Sequence, residues 1–125
     1  MLECAVLFPA AFTVLIGMIV GALGIFRYSE LACLAREGAR YAAVHGATYA
    51  QVTGKSAATS SDVYNNGILP KVVGLDTSQL TYNVTWGPDN KQGSNVTVKL
   101  SYTWVPEAYW STMTLSSTSV MTVSY

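Results

Sequence analysis

The chain opens on an uninterrupted apolar run. Between Cys4 and Phe26 there is no charged side chain, and Thr13 is nearly the only polar one. A continuous helix over this run is roughly 34 Å long, enough to cross a bilayer. No turn signal separates it from the charged, Ala-rich stretch Arg27 to Val44, which is good helix material. In this second half the apolar positions take sides. Leu31, Leu34, Ala35, Gly38, Tyr41, Ala42 and His45 share one face, while Ser29, Arg36, Glu37 and Arg40 lie on the other. Such a stripe can cover a sheet. The pattern therefore predicts one helix from Met1 to about His45, greasy at its front and two-sided at its back. Pro9 removes one backbone hydrogen bond, so a kink is expected near residues 5–9. Gly46 is a natural stop, and His45 suits the negative end of a helix.

Beyond Gly46 the chain is small and polar as far as Ser60, which reads as loop. Ser60 or Ser61 followed by Asp62 marks a helix start. A short helix over about 61–73 follows, weakened at Gly67, interrupted or kinked at Pro70 and ended by Gly74. Alternation then takes over. Leu80, Tyr82, Val84 and Trp86 alternate with Thr81, Asn83 and Thr85. After the turn-rich stretch from Gly87 to Ser94, Val96, Val98, Leu100, Tyr102 and Trp104 alternate with polar residues. Period two marks half-buried strands joined as a hairpin. Val105 and Pro106 break the pattern, and an irregular stretch carrying Tyr109, Trp110 and Met113 runs to about Ser117. Strands are thus expected near 80–86, 95–104 and 118–125. The fold class is α+β: a long N-terminal helix (1–46) packed on a small three-stranded antiparallel sheet in a head of residues 47–125.

Composition narrows the function. The chain has 125 residues, seven basic and seven acidic, so its net charge is zero and only 11% of it is charged. That leaves no basic footprint for nucleic acid. The two cysteines, Cys4 and Cys33, stand roughly 43 Å apart along one helix, too far for a disulfide within the chain. Two buried thiols are expected, with an intersubunit bridge as the sharper alternative. His45 is the only histidine, and no zinc spacing, phosphate loop or nucleophile elbow accompanies it. No cofactor, no metal and no enzymatic activity are therefore expected. Trp86, Trp104 and Trp110 are assigned to the core or to subunit contacts. Asn83-Val84-Thr85 and Asn95-Val96-Thr97 match the glycosylation pattern incidentally, in strands rich in Asn and Thr.

The first segment does not read as a signal peptide. Its start, Met1-Leu2-Glu3, is acidic and its apolar run is too long. Arg27, Arg36 and Arg40 all follow the run, which by the positive-inside rule would hold the head in the cytoplasm. A basic leader preceding Met1, later removed, resolves the conflict, so Met1 is not expected to be the translated start. Ala10, Thr13, Gly17, Gly21 and Gly24 fall on one stripe of the helix, and Gly17-Met18-Ile19-Val20-Gly21 is a small-xxx-small motif that lets helix backbones approach. Glu3 lies on the same side. It is either exposed at a membrane surface or paired with a positive group in an assembly. Further back, Glu37 and Arg40 are spaced to pair at i, i+3.

Two blocks carry a family resemblance. Glu3-Cys4-Ala5-Val6-Leu7-Phe8-Pro9 heads the apolar run, and Ala35-Arg36-Glu37-Gly38-Ala39-Arg40-Tyr41-Ala42 follows it. Together they resemble the TadE-like pilins of tight-adherence (Flp-type) systems, within the type IV pilin class. The resemblance covers the first 45 residues and the head only in outline. It implies an envelope protein whose short basic leader is cut by a prepilin peptidase. Held first in the inner membrane, it is then passed by the pilus assembly machinery into an extracellular filament of identical subunits. In that class a glutamate lies close behind the cleavage point, and Glu3 is the matching residue, although Met1 stands where the class has phenylalanine. The resemblance and the helix stripe together place assembly on Glu3, Pro9, Gly17, Gly21 and Gly24. Packing of helix on head falls to Leu31, Leu34, Gly38 and Tyr41. A membrane-anchored accessory pilin or adhesin-type binding module is the alternative, and an envelope enzyme a distant third.

Overall fold

The structure, a computed structural model, describes residues 1–107 and 111–125. The expectations for Tyr109 and Trp110 fall outside the described residues. Helix α1 spans Leu2–Val44 without interruption, 43 residues or roughly 65 Å. Pro9 lies inside it and does not end it. The Thr13 hydroxyl donates back to the Pro9 carbonyl, one turn earlier, at 2.8 Å. At the other end both the backbone N–H of His45 and its Nδ1–H donate to the Tyr41 carbonyl, at 3.2 and 2.9 Å. The histidine thus serves the helix terminus as its position implied.

Three expectations for the middle of the chain are corrected. The stretch after Gly46 is not wholly loop, because α2 spans Ala47–Thr53 and ends at Gly54 in the left-handed region, φ 69°. Its polar, β-branched residues hide a helix whose start is set by tertiary contact: the Ala47 N–H donates to Asn90 O at 2.8 Å. The expected helix at 61–73 is one helical segment of three pitches. It is α over Ser60–Asp62 (α3), π over Val63–Ile68 and 3₁₀ over Leu69–Lys71. Its cap is Thr59 rather than Ser60 or Ser61, in a reciprocal box with Asp62. Pro70 sits in the first turn of the 3₁₀ part, where its missing N–H costs nothing. The wider π turn brings Val63, Gly67 and Ile68 onto the core together.

The strands are β1 (Leu80–Gly87), β2 (Asn95–Trp104) and β3 (Met113–Thr122), in the order β1-β2-β3 and antiparallel throughout. Val84 faces Val98 and Val98 faces Ser119. β3 starts at Met113, well before the expected 118, because β2 supplies partners along its whole length, down to Trp104 opposite Met113. The Ser and Thr run from Ser116 to Ser119 has no apolar alternation to reveal this. β3 ends at Thr122 rather than Tyr125. There the chain turns onto the helix: Val123 is buried, and the N–H groups of Ser124 and Tyr125 both donate to Ala43 O, at 2.9 and 3.2 Å.

The back of α1 lies across β2 and β3. Leu31, Leu34, Ala35, Gly38, Ala39, Ala42 and Ala43 are its buried residues, against Val96, Val98, Leu100 and Tyr102. The five small residues that follow the leucines allow close approach. A Cβ on Gly38 would stand 2.9 Å from Ile68 Cδ1 and 3.3 Å from Val98 Cγ1. Tyr41 lies at the rim, half-buried, with Gly67 beneath its ring. Two further expectations fail on this helix. Cys4 and Cys33 are both exposed free thiols rather than buried ones; Cys33 sits on the side away from the sheet. Glu37 pairs with Lys71 of the 3₁₀ turn instead of Arg40. The ammonium of Lys71 holds the Glu37 carboxyl below its ordinary range, through a hydrogen bond first and charge second.

Candidate membrane and assembly helix

The front of α1 is a bare apolar rod. It has the length and composition of a membrane span or a signal segment, and none of its most apolar window is buried by the head. Val6, Leu7, Phe8, Phe12, Val14, Leu15, Met18 and Ile19 are all exposed. No charged side chain lies among them, so the rod has no face suited to water. Backbone groups in such a rod are satisfied internally, as hydrocarbon requires.

The assembly residues inferred from the sequence separate into two groups. Among the described residues, and apart from the helix's own neighbouring backbone, nothing lies within 4 Å of a Cβ built on Gly17 or on Gly21. Their surface is open for another backbone. Gly24, on the same stripe, is already occupied. The Trp104 ring lies over it, with Cζ3 2.9 Å and Cη2 3.1 Å from where a Cβ would stand. Its small size serves the fit of head to helix within one chain. Glu3 is exposed in the first turn of α1. It makes no ion pair among the described residues, with its own terminal amine included. Pro9 and Thr13 lie between Glu3 and the open glycines, joined by the back-bond described above.

At the foot of the head, Trp104, Tyr102 and Arg27 form a clasp that the sequence did not announce. Arg27 is the first charge after the apolar run. Its Nη2 donates to Glu107 Oε1 at 2.7 Å, its Nη1 donates to the Tyr102 hydroxyl at 3.3 Å, and its guanidinium lies 5.7 Å from the centre of the Trp104 ring. The side chain is largely screened, 21% exposed. A planar cation that stacks and forks suits this setting better than an ammonium would. One turn on, Glu30 Oε1 accepts from the Val73 N–H at 2.7 Å and ties the 60–71 segment down. The only sequence signal for the clasp was the place of Arg27 at the end of the run. Its partners come from the far end of β2 and the loop after it, more than 70 residues away.

No family model, no curated protein and no solved structure matches the chain. What α1 can do rests on its geometry. It can enter a bilayer or pack against other helices through its front, while the head stays folded on its back.

Proposed function

We propose that the chain is a structural subunit of a type IV pilus-like filament of the TadE-like kind. It is held in the cytoplasmic membrane before assembly and polymerised through the front of α1 on the cell surface. One observation carries this reading: the head reaches along α1 only as far as Val20, Leu23 and Gly24 and leaves the most apolar window of the helix uncovered. An apolar surface of this extent must be taken up by lipid or by protein. Two glycines open to approach on that surface, Gly17 and Gly21, favour helix against helix. The blocks from Glu3 to Pro9 and from Ala35 to Ala42 resemble those of a class that uses this design. In such a filament the partners are further copies of the chain, after processing by a prepilin peptidase and delivery by the assembly machinery.

Glu3 then has a register role. Inside a filament core an unpaired carboxylate costs several kcal/mol. Arg27 is roughly 36 Å further along the same helix and is already engaged with Glu107. The terminal amine of a neighbour staggered along the axis is the partner that lowers this cost. Electron microscopy of the purified full chain, transferred out of detergent, tests the reading. Ordered fibres of this chain alone are expected. Discrete particles that stay bound to lipid would instead support a membrane-anchored accessory module.

A further inference from the structure

The end of the head farthest from the apolar rod holds a polar cleft. It lies at the C-terminal end of α1, roughly 30 Å beyond the seat of Trp104 on Gly24, and its volume is about 420 Å³. Small-molecule sites are ordinarily about 300–1,000 Å³. One wall is aromatic. Tyr41 and His45 are stacked at 4.1 Å and 16°, and Tyr49 is tilted against His45 at 4.6 Å and 60°. The rings align because α2 resumes helical spacing directly after Gly46. His45 Nδ1 lies 2.9 Å from Tyr41 O, a group that only accepts, so Nε2 is the ring nitrogen left for a ligand.

The opposite wall comes from α3 and the π turn, as Asp62 and Asn66, and from the loop before them, as Lys55 and Ser56. Asp62 receives the Thr59 N–H and hydroxyl on Oδ2, at 2.9 and 2.7 Å. Its Oδ1 accepts no hydrogen bond among the described residues. These bonds from Thr59 also lower its pKa, which keeps the carboxylate ionised. Buried Ala58 lies between the walls.

The charges count against a ligand of a single sign. Lys55 and Asp62 carry opposite signs in one cleft. An anion meets Asp62, an amine meets Lys55, and an apolar molecule strips water from both without replacing it. A neutral polyol meets neither objection. Each of its hydroxyls both donates and accepts, which matches a set made of a carboxylate, an amide, an ammonium, an imidazole nitrogen and phenols. The stacked wall leaves ring edges rather than faces to the cleft, and those edges carry the phenol and imidazole groups that hydroxyls can meet. We propose that this distal cleft binds a neutral sugar unit through Asp62, Asn66, Lys55 and Ser56 against the wall of Tyr41, His45 and Tyr49. The proposal does not depend on polymerisation, because the cleft is complete in one chain.

His45 is the only histidine, so its ring gives a single reporter. The full chain, held in lipid nanodiscs free of glycoside detergent and labelled with ¹⁵N-histidine, is titrated separately with glucose, galactose, mannose and N-acetylglucosamine. A saturable shift of the His45 ring with at least one of them is expected, with a Kd on the order of 1 mM. Asn66→Ala and Ser56→Ala should each weaken that binding about 5- to 10-fold. Asn83→Ala, on the outer face of the sheet, should leave it unchanged. Inorganic phosphate and ethanolamine should bind more weakly than the sugar. No saturable shift with any of the four sugars would overturn the proposal. So would tighter binding of phosphate or ethanolamine, or wild-type affinity in both Asn66→Ala and Ser56→Ala. Fibre formation is read separately, so failure here leaves the filament reading standing, and the reverse.

Discussion

The two halves of α1 are both rich in apolar residues, yet they meet opposite fates. In the front half Phe8 is 71% exposed; in the back half Leu31 is fully buried. Hydrophobicity does not account for the difference, since the exposed half is the more apolar. The back half sets two leucines, then only Ala and Gly, on one face and keeps Arg36 and Arg40 off that face. It therefore offers a sheet a shallow surface with a definite direction. The front half has no charged face opposite its apolar side chains, so nothing orients a head on it. A helix is claimed by its own domain only where its apolar side has an edge. Between the halves, Trp104 over Gly24 and Arg27 on Glu107 mark the border.

Deletion of one side chain in each half should separate them most sharply. Leu31→Ala should lower the unfolding free energy of the head by about 2–5 kcal/mol. Leu15→Ala, the same chemistry on the bare rod, should change it by less than about 0.5 kcal/mol. Denaturation in one membrane mimetic compares the pair, and equal losses would erase the distinction between the halves.

The glycine stripe sharpens the border. Gly24→Leu should push Trp104 off the helix and cost the head about 1–3 kcal/mol, visible in thermal unfolding and tryptophan emission. Gly21→Leu should leave the head untouched and abolish or weaken fibres. Normal fibre yield from Gly21→Leu would remove this surface from the assembly.

Glu3 probes the far end of the rod. Glu3→Ala should insert into membranes normally yet polymerise about tenfold more slowly, because an attractive charge pair guides docking. Glu3→Gln should fall between. Wild-type polymerisation of Glu3→Ala would reduce Glu3 to a surface charge.

Acid should weaken the head, and only slightly. The carboxyls of Glu37, Asp62, Asp76 and Asp89 all have lowered pKa values, from hydrogen bonds to Lys71, Thr59, Ser78 and Ser94 respectively. A lowered pKa means that the folded head binds fewer protons than the unfolded chain. Its stabilising effect is complete above the ordinary carboxyl range near about 4. It fades as pH falls through the lowered values. The Tm of the head should decline over that window. Lys71→Met should make the decline shallower by removing the cause at Glu37. A Tm that rose on acidification would contradict these pairings.

The long helix, its two characters and the hairpin were all open to a reader of the residues. Each follows from neighbours in sequence: an apolar run without charges, a face repeating every three or four residues, an alternation of period two. β2 was legible to the residue for that reason, and so were Leu31, Leu34 and Gly38 as the seat of the head. Tertiary structure decided the features that depend on distant partners. β3 reaches back to Met113 only because Trp104 lies opposite. α2 begins where Asn90 receives the Ala47 N–H, and Glu37 prefers Lys71 to its helical neighbour Arg40. Gly24 looked like its companions Gly17 and Gly21 on the stripe, but a tryptophan 80 residues further on lies over it. Local patterns set what each segment can be. Which of two available partners a side chain takes depends on the packing that brings distant segments together.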